Sequence, residues 1–226
     1  MSTSASPVSI GPLAPSELVL FKGEQFAKKS FSGNIKLLHT DIKVSAKGVG
    51  QAIMLAALLA NEQTGAVRLE VGQKKALMGL RKVNTLFVTP GDITVSWPDN
   101  SLESEIRPLA EQLLADKGRN EVSTIFYTWL RKDSANPWQS AVEYIKDDLA
   151  SRGCLDKIEQ KKLKIFTLTH YELPESTSSL ATQQSAEPIK QLLTTCEQTR
   201  PEVWKFLVKH IKTAISRRTI RDNTDY

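Results

Sequence analysis

The stretch NPWQSAVEYIKDDLASRGCLDKIEQKKLKIFTLTH, residues 136–170, holds a helix, a stop and a hairpin in one run. Asn136 is a favourable N-cap. Pro137 suits the first helical position, because its missing N–H would have had no partner there. Trp138, Ala141, Val142, Ile145 and Leu149 then fall on one face at helical spacing. Gly153 predicts the left-handed residue that ends the helix. The following run, Glu159 to Thr169, is rich in β-formers in its C-terminal half. It predicts a hairpin whose tip carries Lys161, Lys162, Leu163, Lys164, Ile165 and Phe166. A tip both cationic and apolar suits an anionic membrane surface or a partner protein better than plain solvent.

Working outward, a weak echo of this unit occurs earlier. Ala52, Ile53, Leu55, Ala56, Ala57, Leu58 and Leu59 lie in a segment from Gly48 to Gly65 that is apolar all round, which predicts a buried helix. Ala66 to Gly72 alternates apolar and charged residues, the period-two mark of a half-exposed strand. Lys74, Lys75, Arg81 and Lys82 follow, then Leu86-Phe87-Val88 and a Pro90-Gly91-Asp92 turn. Helix, glycine, strand, basic turn and strand thus occur at 50–90 and again at 138–170.

The remainder reads as mainly helical. Residues 1–15 form a Ser- and Pro-containing tail, and Pro15-Ser16-Glu17 opens a short helix. Ile35 to Val44 is a strand or a loop. Helices are expected over Ser101–Leu114, with Leu102, Ile106, Leu109 and Leu113 on one face, and over Glu121–Leu130. A Ser/Thr/Gln-rich stretch at 174–188, bracketed by Pro174 and Pro188, reads as a loop. Ile189–Glu197 and Pro201–Arg218 are helical; in the second, Phe206 or Leu207, His210, Ile211 and Ala214 mark one side. Lys205, Lys209, Lys212, Arg217 and Arg218 mark the other, and 219–226 is a tail. The fold class that follows is mainly α: a single helical domain over 16–218 with short β-hairpins packed on helices.

With 226 residues and a formal charge of +5, the chain can bury a sizeable core and has a bias toward polyanionic partners. Two cysteines suggest no disulfide framework, so a reducing, cytoplasmic location is expected. There is no secretory signal, and the longest apolar run, Ala52–Ala60, is far short of the ~20 residues that span a bilayer.

Catalytic chemistry is not expected. His39, His170 and His210 lie far apart without metal-ligand spacing and read as surface or helix-end histidines. Cys154 follows Gly153 at a helix end with no base supplied nearby and reads as a structural thiol. No phosphate-binding glycine loop is present, and neither cofactor nor metal is expected. Nucleic acid fits less well than lipid or protein: the 52–60 helix is apolar, and Glu143, Asp147 and Asp148 offset Lys146 and Arg152 on the 138–152 helix. A protein-interaction module meeting acidic or basic tails, and a winged-helix nucleic-acid binder, remain the alternatives.

Several segments in order resemble the Golgi phosphoprotein 3 family. They are Gly65-Ala-Val-Arg-Leu-Glu70, Thr89-Pro-Gly-Asp92, Trp129-Leu130 ahead of Asn136-Pro137, Leu149-Ala-Ser-Arg-Gly-Cys-Leu155, and Phe166-Thr-Leu-Thr-His170. The resemblance spans roughly residues 16–175. It implies a mostly helical domain, peripheral on Golgi-type membranes in a eukaryote. It further implies binding of phosphatidylinositol 4-phosphate and linkage of glycosyltransferase tails to vesicle coats. It also implies membrane contact and homo-oligomerisation through the hairpin at 158–169. The family's headgroup site uses a Trp and an Arg near the first helix, and arginines on the helix after Asn-Pro. Here no Trp precedes Trp97, and Gln139 and Val142 stand at the helix positions. Lys28, Lys29 and Lys47 are the candidate substitutes.

Overall fold

The computed structural model describes residues 13–28, 34–40, 42–76, 81–116, 118–162 and 166–220. Its elements are α1 (Pro15–Phe21), β1 (Asn34–Lys36), β2 (Lys43–Ser45), α2 (Ala46–Gln63), β3 (Val67–Ala76) and β4 (Arg81–Pro90). There follow α3 (Leu102–Ala115), α4 (Val122–Trp129), α5 (Pro137–Ser151), β5 (Asp156–Lys162), β6 (Phe166–Glu172), α6 (Glu175–Gln183), α7 (Glu187–Thr199) and α8 (Pro201–Arg218). The fold is mainly α, with the strands in three separate antiparallel pairs, β1–β2, β3–β4 and β5–β6.

Helix α2 is the centre. Ser45 caps it, its Oγ accepting the Gly48 N–H at 3.3 Å. Val49, Ile53, Met54, Ala56, Ala57 and Leu58 have no solvent exposure, because α1, α3, α5, α7 and α8 all pack against this helix. An apolar stripe on one side would have sufficed for a surface helix; apolarity on every side matches enclosure. At the crossing with α5, a Cβ on Gly50 would lie 3.1 Å from the Trp138 ring, so the glycine permits the close approach.

Helix α5 buries Ala141, Val142, Ile145 and Leu149, as its spacing requires, with Trp138 half-buried at its start. The side chain of Asn136 makes no capping bond, contrary to expectation. Its carbonyl accepts from Gln139 N and Ser140 N, both at 3.0 Å, and its own N–H donates to Ser134 Oγ at 3.0 Å. Gly153 ends α5 at φ +72°, and Gly65 follows α2 at φ +76°. Both helix–glycine–hairpin units are therefore real: α2 leads through Gly65 to β3–β4, and α5 through Gly153 to β5–β6.

Four expectations are corrected. The 174–188 stretch is not a loop: it contains α6, with Thr177 and Ala181 buried, and the first turn of α7. Pro174 and Pro188 sit at helix starts, where a missing N–H costs nothing, and Thr182 satisfies its hydroxyl on the Ser178 carbonyl at 2.8 Å. The fold begins before residue 16, since Leu13 and Ala14 are buried. It also continues past 218, because Ser134 pairs with Thr219 and accepts from Ile220 N at 3.0 Å. On α3 the buried row is Leu102, Ile106, Ala110 and Leu113, and Leu109 is only half-buried.

Candidate functional site

The basic residues sort into three places. The first is the β5–β6 hairpin. Its base is fixed to α5 through Asp147, whose Oδ1 accepts from Tyr171 Oη at 2.7 Å and pairs with Lys157 at 2.8 Å. Lys146 adds a cation–π contact 5.5 Å from the Tyr171 ring. Register places Lys161 opposite Thr167 and Lys162 opposite Phe166. Leu163, Lys164 and Ile165 lie outside the described residues. A cavity of about 470 Å³ beside this hairpin is large enough for a headgroup, but Glu143 and Glu172 line it together with Lys36, Lys146 and His170. Lys146 is already paired to Glu143 at 2.8 Å. The charge there is mixed, and Gln139 lines it while Val142 is in the core.

The second place brings two of the candidate headgroup lysines together. Lys28 and Lys47 line one cavity of about 470 Å³, with Gln51, Thr194, Glu197 and Trp204 among its walls. Lys28 is held there because its carbonyl accepts Ser45 N at 3.1 Å, at the start of α2. Lys29 lies outside the described residues. Trp204, from the last helix, supplies an aromatic wall to this lysine pair from a distant stretch of chain.

The third place is the outer face of α8, which Trp204 joins to the second. Trp204, Lys205, Val208, Lys209, Lys212 and Arg217 line a groove along it that no carboxylate lines, and Glu202 is exposed in the first turn of the helix, before Lys205. Lys205, Lys209, Lys212 and Arg217 are exposed, while Trp204 and Val208 are half-buried. Among the described residues, Lys205, Lys209 and Lys212 form no ion pair. Like charges at i,i+4 and i,i+3 each cost a helix roughly 0.2–0.5 kcal/mol. Arg218 is corrected: it does not share this open face. Its Nε donates to the Tyr127 carbonyl at 2.9 Å and its Nη1 pairs with Asp133 at 3.0 Å. Arg217 is exposed, and both guanidinium groups lie over the Tyr127 ring, 4.1 and 3.7 Å from its centroid.

His210, on the inner side of α8, is also corrected from a surface histidine. It is 8% exposed. Its Nε2 accepts the Leu86 N–H at 3.4 Å and sits 3.2 Å from Thr85 Oγ1. Burial, with Lys74 and Lys209 nearby, lowers its pKa to about 4. Thus α8 is clamped to β4, and its cationic face is turned outward. Cys154 and Cys196 are buried and unpaired, and burial pushes both thiols up.

Among the described residues no cluster of His, Cys, Asp or Glu is placed to hold a metal ion, and no helix is long and apolar enough to cross a membrane. The carboxylates most displaced from their usual range, Glu103 and Asp148, line none of the cavities of this fold described above. Compared with protein-family models, curated proteins and solved structures, the chain gives no match.

Sequence reading named the lysines but missed Trp204 and Val208. A signal was present: they stand four apart on the helix row adjoining Lys205 and Lys209, so an aromatic and an aliphatic residue are interleaved with the charge.

Proposed function

We propose that this chain is a peripheral membrane adaptor that attaches to anionic, phosphoinositide-bearing surfaces and carries out no catalysis. The observation that carries this is the outer face of α8: four exposed cations, interleaved with Trp204 and Val208, against one carboxylate, Glu202, in the first turn of the helix. Each lysine near an anionic leaflet contributes roughly 1 kcal/mol, and a half-buried indole suits the headgroup region. The Lys28–Lys47 cavity adjoins this face through Trp204 and offers room for one phosphorylated headgroup. The ordered resemblance to Golgi phosphoprotein 3 segments supports the same reading. So does the Lys161–Phe166 sequence of the second hairpin. A homo-oligomer would multiply a weak, reversible attachment through effective concentration.

Vesicle flotation tests this. The full chain is expected to float with vesicles containing phosphatidylserine or phosphatidylinositol 4-phosphate, and to stay behind with neutral phosphatidylcholine. The triple variant Lys205→Glu, Lys209→Glu, Lys212→Glu is expected to bind at least tenfold more weakly. A wild-type chain that floats with none of the three vesicle types would overturn the proposal.

A further inference from the structure

We infer that the cavity of Lys28 and Lys47 takes a phosphate monoester carried on an aliphatic stem. The inference rests on the reading above, in which this cavity has room for one phosphorylated group, and names what that group is attached to. The surface to which the chain attaches is unchanged by it; what enters the cavity is narrowed.

The first observation is how the cavity is built. The wall from Phe26 to Lys28 lies close against the first turn of α2, because residue 48 is glycine: a Cβ there would stand 2.7 Å from the Ala27 Cβ. Ser45 N donates to the Lys28 carbonyl at 3.1 Å and fixes the end of that wall. Other walls come from α7, through Leu193, Thr194 and Glu197, and from α8, through Trp204. Separate stretches of chain thus converge on about 470 Å³, within the range of small-molecule sites.

The second observation is charge. Lys28 and Lys47 are both exposed, and neither forms an ion pair among the described residues. One carboxylate, Glu197, lines the same cavity, and among the described residues its walls hold no third cation. A single phosphate can accept charge-assisted bonds from both lysines. A second phosphate would meet Glu197 with no cation left to offset it.

The third observation is the carbon surface. Leu55 is 2% exposed and Ala52 7%, so the deep wall is part of the core. Phe26, Leu193 and Trp204 also line the cavity and are half-buried. The Ser45 hydroxyl already accepts the Gly48 N–H, which leaves Gln51, Thr194 and Glu197 as the uncommitted polar side chains besides the lysines. A ring hydroxylated all round, as inositol is, would bury several hydroxyls against carbon without partners. Methylene groups on the same surface gain roughly fourfold in affinity each. Cations on the open side and carbon at depth therefore match a charged head followed by an aliphatic stem. Two solvated lysines above an apolar hollow would show no such selectivity, and the experiment separates the two cases.

The test titrates the full chain by calorimetry with decyl phosphate below its critical micelle concentration. Saturable binding is expected, at least roughly tenfold tighter than that of inositol monophosphate, glycerol phosphate or decanol. Lys28→Gln with Lys47→Gln, both at exposed positions where folding is not at stake, is expected to weaken it roughly tenfold. Inositol monophosphate or glycerol phosphate binding as tightly as decyl phosphate overturns the inference in favour of a hydrophilic site. Decanol binding as tightly overturns it in favour of a site indifferent to charge. A double variant that binds decyl phosphate as wild type does places the amphiphile elsewhere and overturns it too. Flotation on phosphatidylcholine vesicles containing phosphatidic acid reads the source of the ligand: weaker flotation of the double variant assigns a lipid held in the leaflet, and equal flotation a soluble alkyl phosphate. If wild type floats on anionic vesicles but does not bind decyl phosphate, this inference fails while the membrane reading stands. If it binds decyl phosphate and floats on no vesicle, the membrane reading falls and the assignment of the cavity stands.

Discussion

Arg200 forks both terminal guanidinium nitrogens onto the carboxylate of Glu62, at 2.7 and 2.6 Å. Glu62 lies in the last turn of α2, where the helix dipole disfavours a negative charge, and Arg200 stands between α7 and α8. The fork therefore ties the start of the basic helix to the central one. Trp204 N donates to the Arg200 carbonyl at 3.0 Å, so the same residue helps set where the indole sits. Arg200→Met is expected to lower stability by about 1 kcal/mol, the pair being partly exposed, and to weaken vesicle binding. A double-mutant cycle with Glu62→Gln, read from urea midpoints, would expose a fork that contributes nothing by giving zero coupling.

The two helix-ending glycines should respond differently to alanine. Gly153 has φ +72° and nothing within 4 Å of a built Cβ, so Gly153→Ala carries the left-handed backbone cost alone, about 1 kcal/mol. Gly65 has φ +76°, and its Cβ would meet Ile93 Cδ1 at 2.9 Å. Ile93 is 54% exposed and free to move, so Gly65→Ala should cost only slightly more. Thermal melting measures both, and an unchanged midpoint for Gly153→Ala would contradict the backbone argument.

These glycines also mark what was legible in the chain. Periodicity identifies α2, α5 and α8 because each buries a regular row, and a glycine after such a row announces the stop. The repeat of helix, glycine and hairpin is visible for the same reason. Helix α6 was hidden because Ser, Thr and Pro signal loops unless the prolines fall at helix starts, which only the fold decides. The meeting of Lys28 and Lys47 with Trp204 is a tertiary event across more than 150 residues, and no local pattern encodes it. His210 could be assigned to the apolar side of its helix, but its bond to Leu86 depends on where β4 lies.

That bond gives stability a pH dependence. His210 has a folded pKa of about 4 against an ordinary 6.5, lowered first by burial and then by Lys74 and Lys209, with Glu121 opposing. Protonating Nε2 would also turn an N–H against that of Leu86. Its contribution is present above pH 6.5 and lost as pH falls toward 4. Glu103 has the opposite sign: burial raises it from 4.5 to about 7, although Ser16 donates both N–H and hydroxyl to it at 2.7 Å. Asp148 is likewise raised to about 7, by burial and then Glu105, with Arg131 opposing. Their contribution is present in acid and lost as pH rises through 7. In wild type the two trends oppose one another between pH 4.5 and 6.5. His210→Gln should unmask the carboxylates, so that stability falls steadily from pH 4.5 to 7. Glu103→Gln with Asp148→Asn should unmask the histidine, with stability rising from pH 4 to 6.5 by at most about 1.4 kcal/mol per unit. Urea midpoints across this range give the curves, and a His210→Gln profile parallel to wild type would remove histidine from the account.

Arg217 and Arg218 are neighbours in sequence with separate duties. Both guanidinium groups lie near the Tyr127 ring, at 4.1 and 3.7 Å from its centroid. Only Arg218 is bonded into the fold: it is 12% exposed, holds the Tyr127 carbonyl and Asp133, and passes its own carbonyl to Ser134 N at 2.8 Å. Removing it leaves the part-buried Tyr127 carbonyl without its donor, at a cost of about 1 kcal/mol. Arg217 is exposed on the cationic face beside Lys212 and Ser216. Arg218→Ala is therefore expected to lower the urea midpoint clearly, and Arg217→Ala to leave it nearly unchanged. On anionic vesicles the order reverses under conditions where both variants remain folded. Arg217→Ala should weaken binding about fivefold, the effect of one cation near a charged leaflet, and Arg218→Ala should bind as wild type does. Equal effects of the two substitutions on vesicle binding would remove the distinction between a face that docks and a side chain that holds the helix in place.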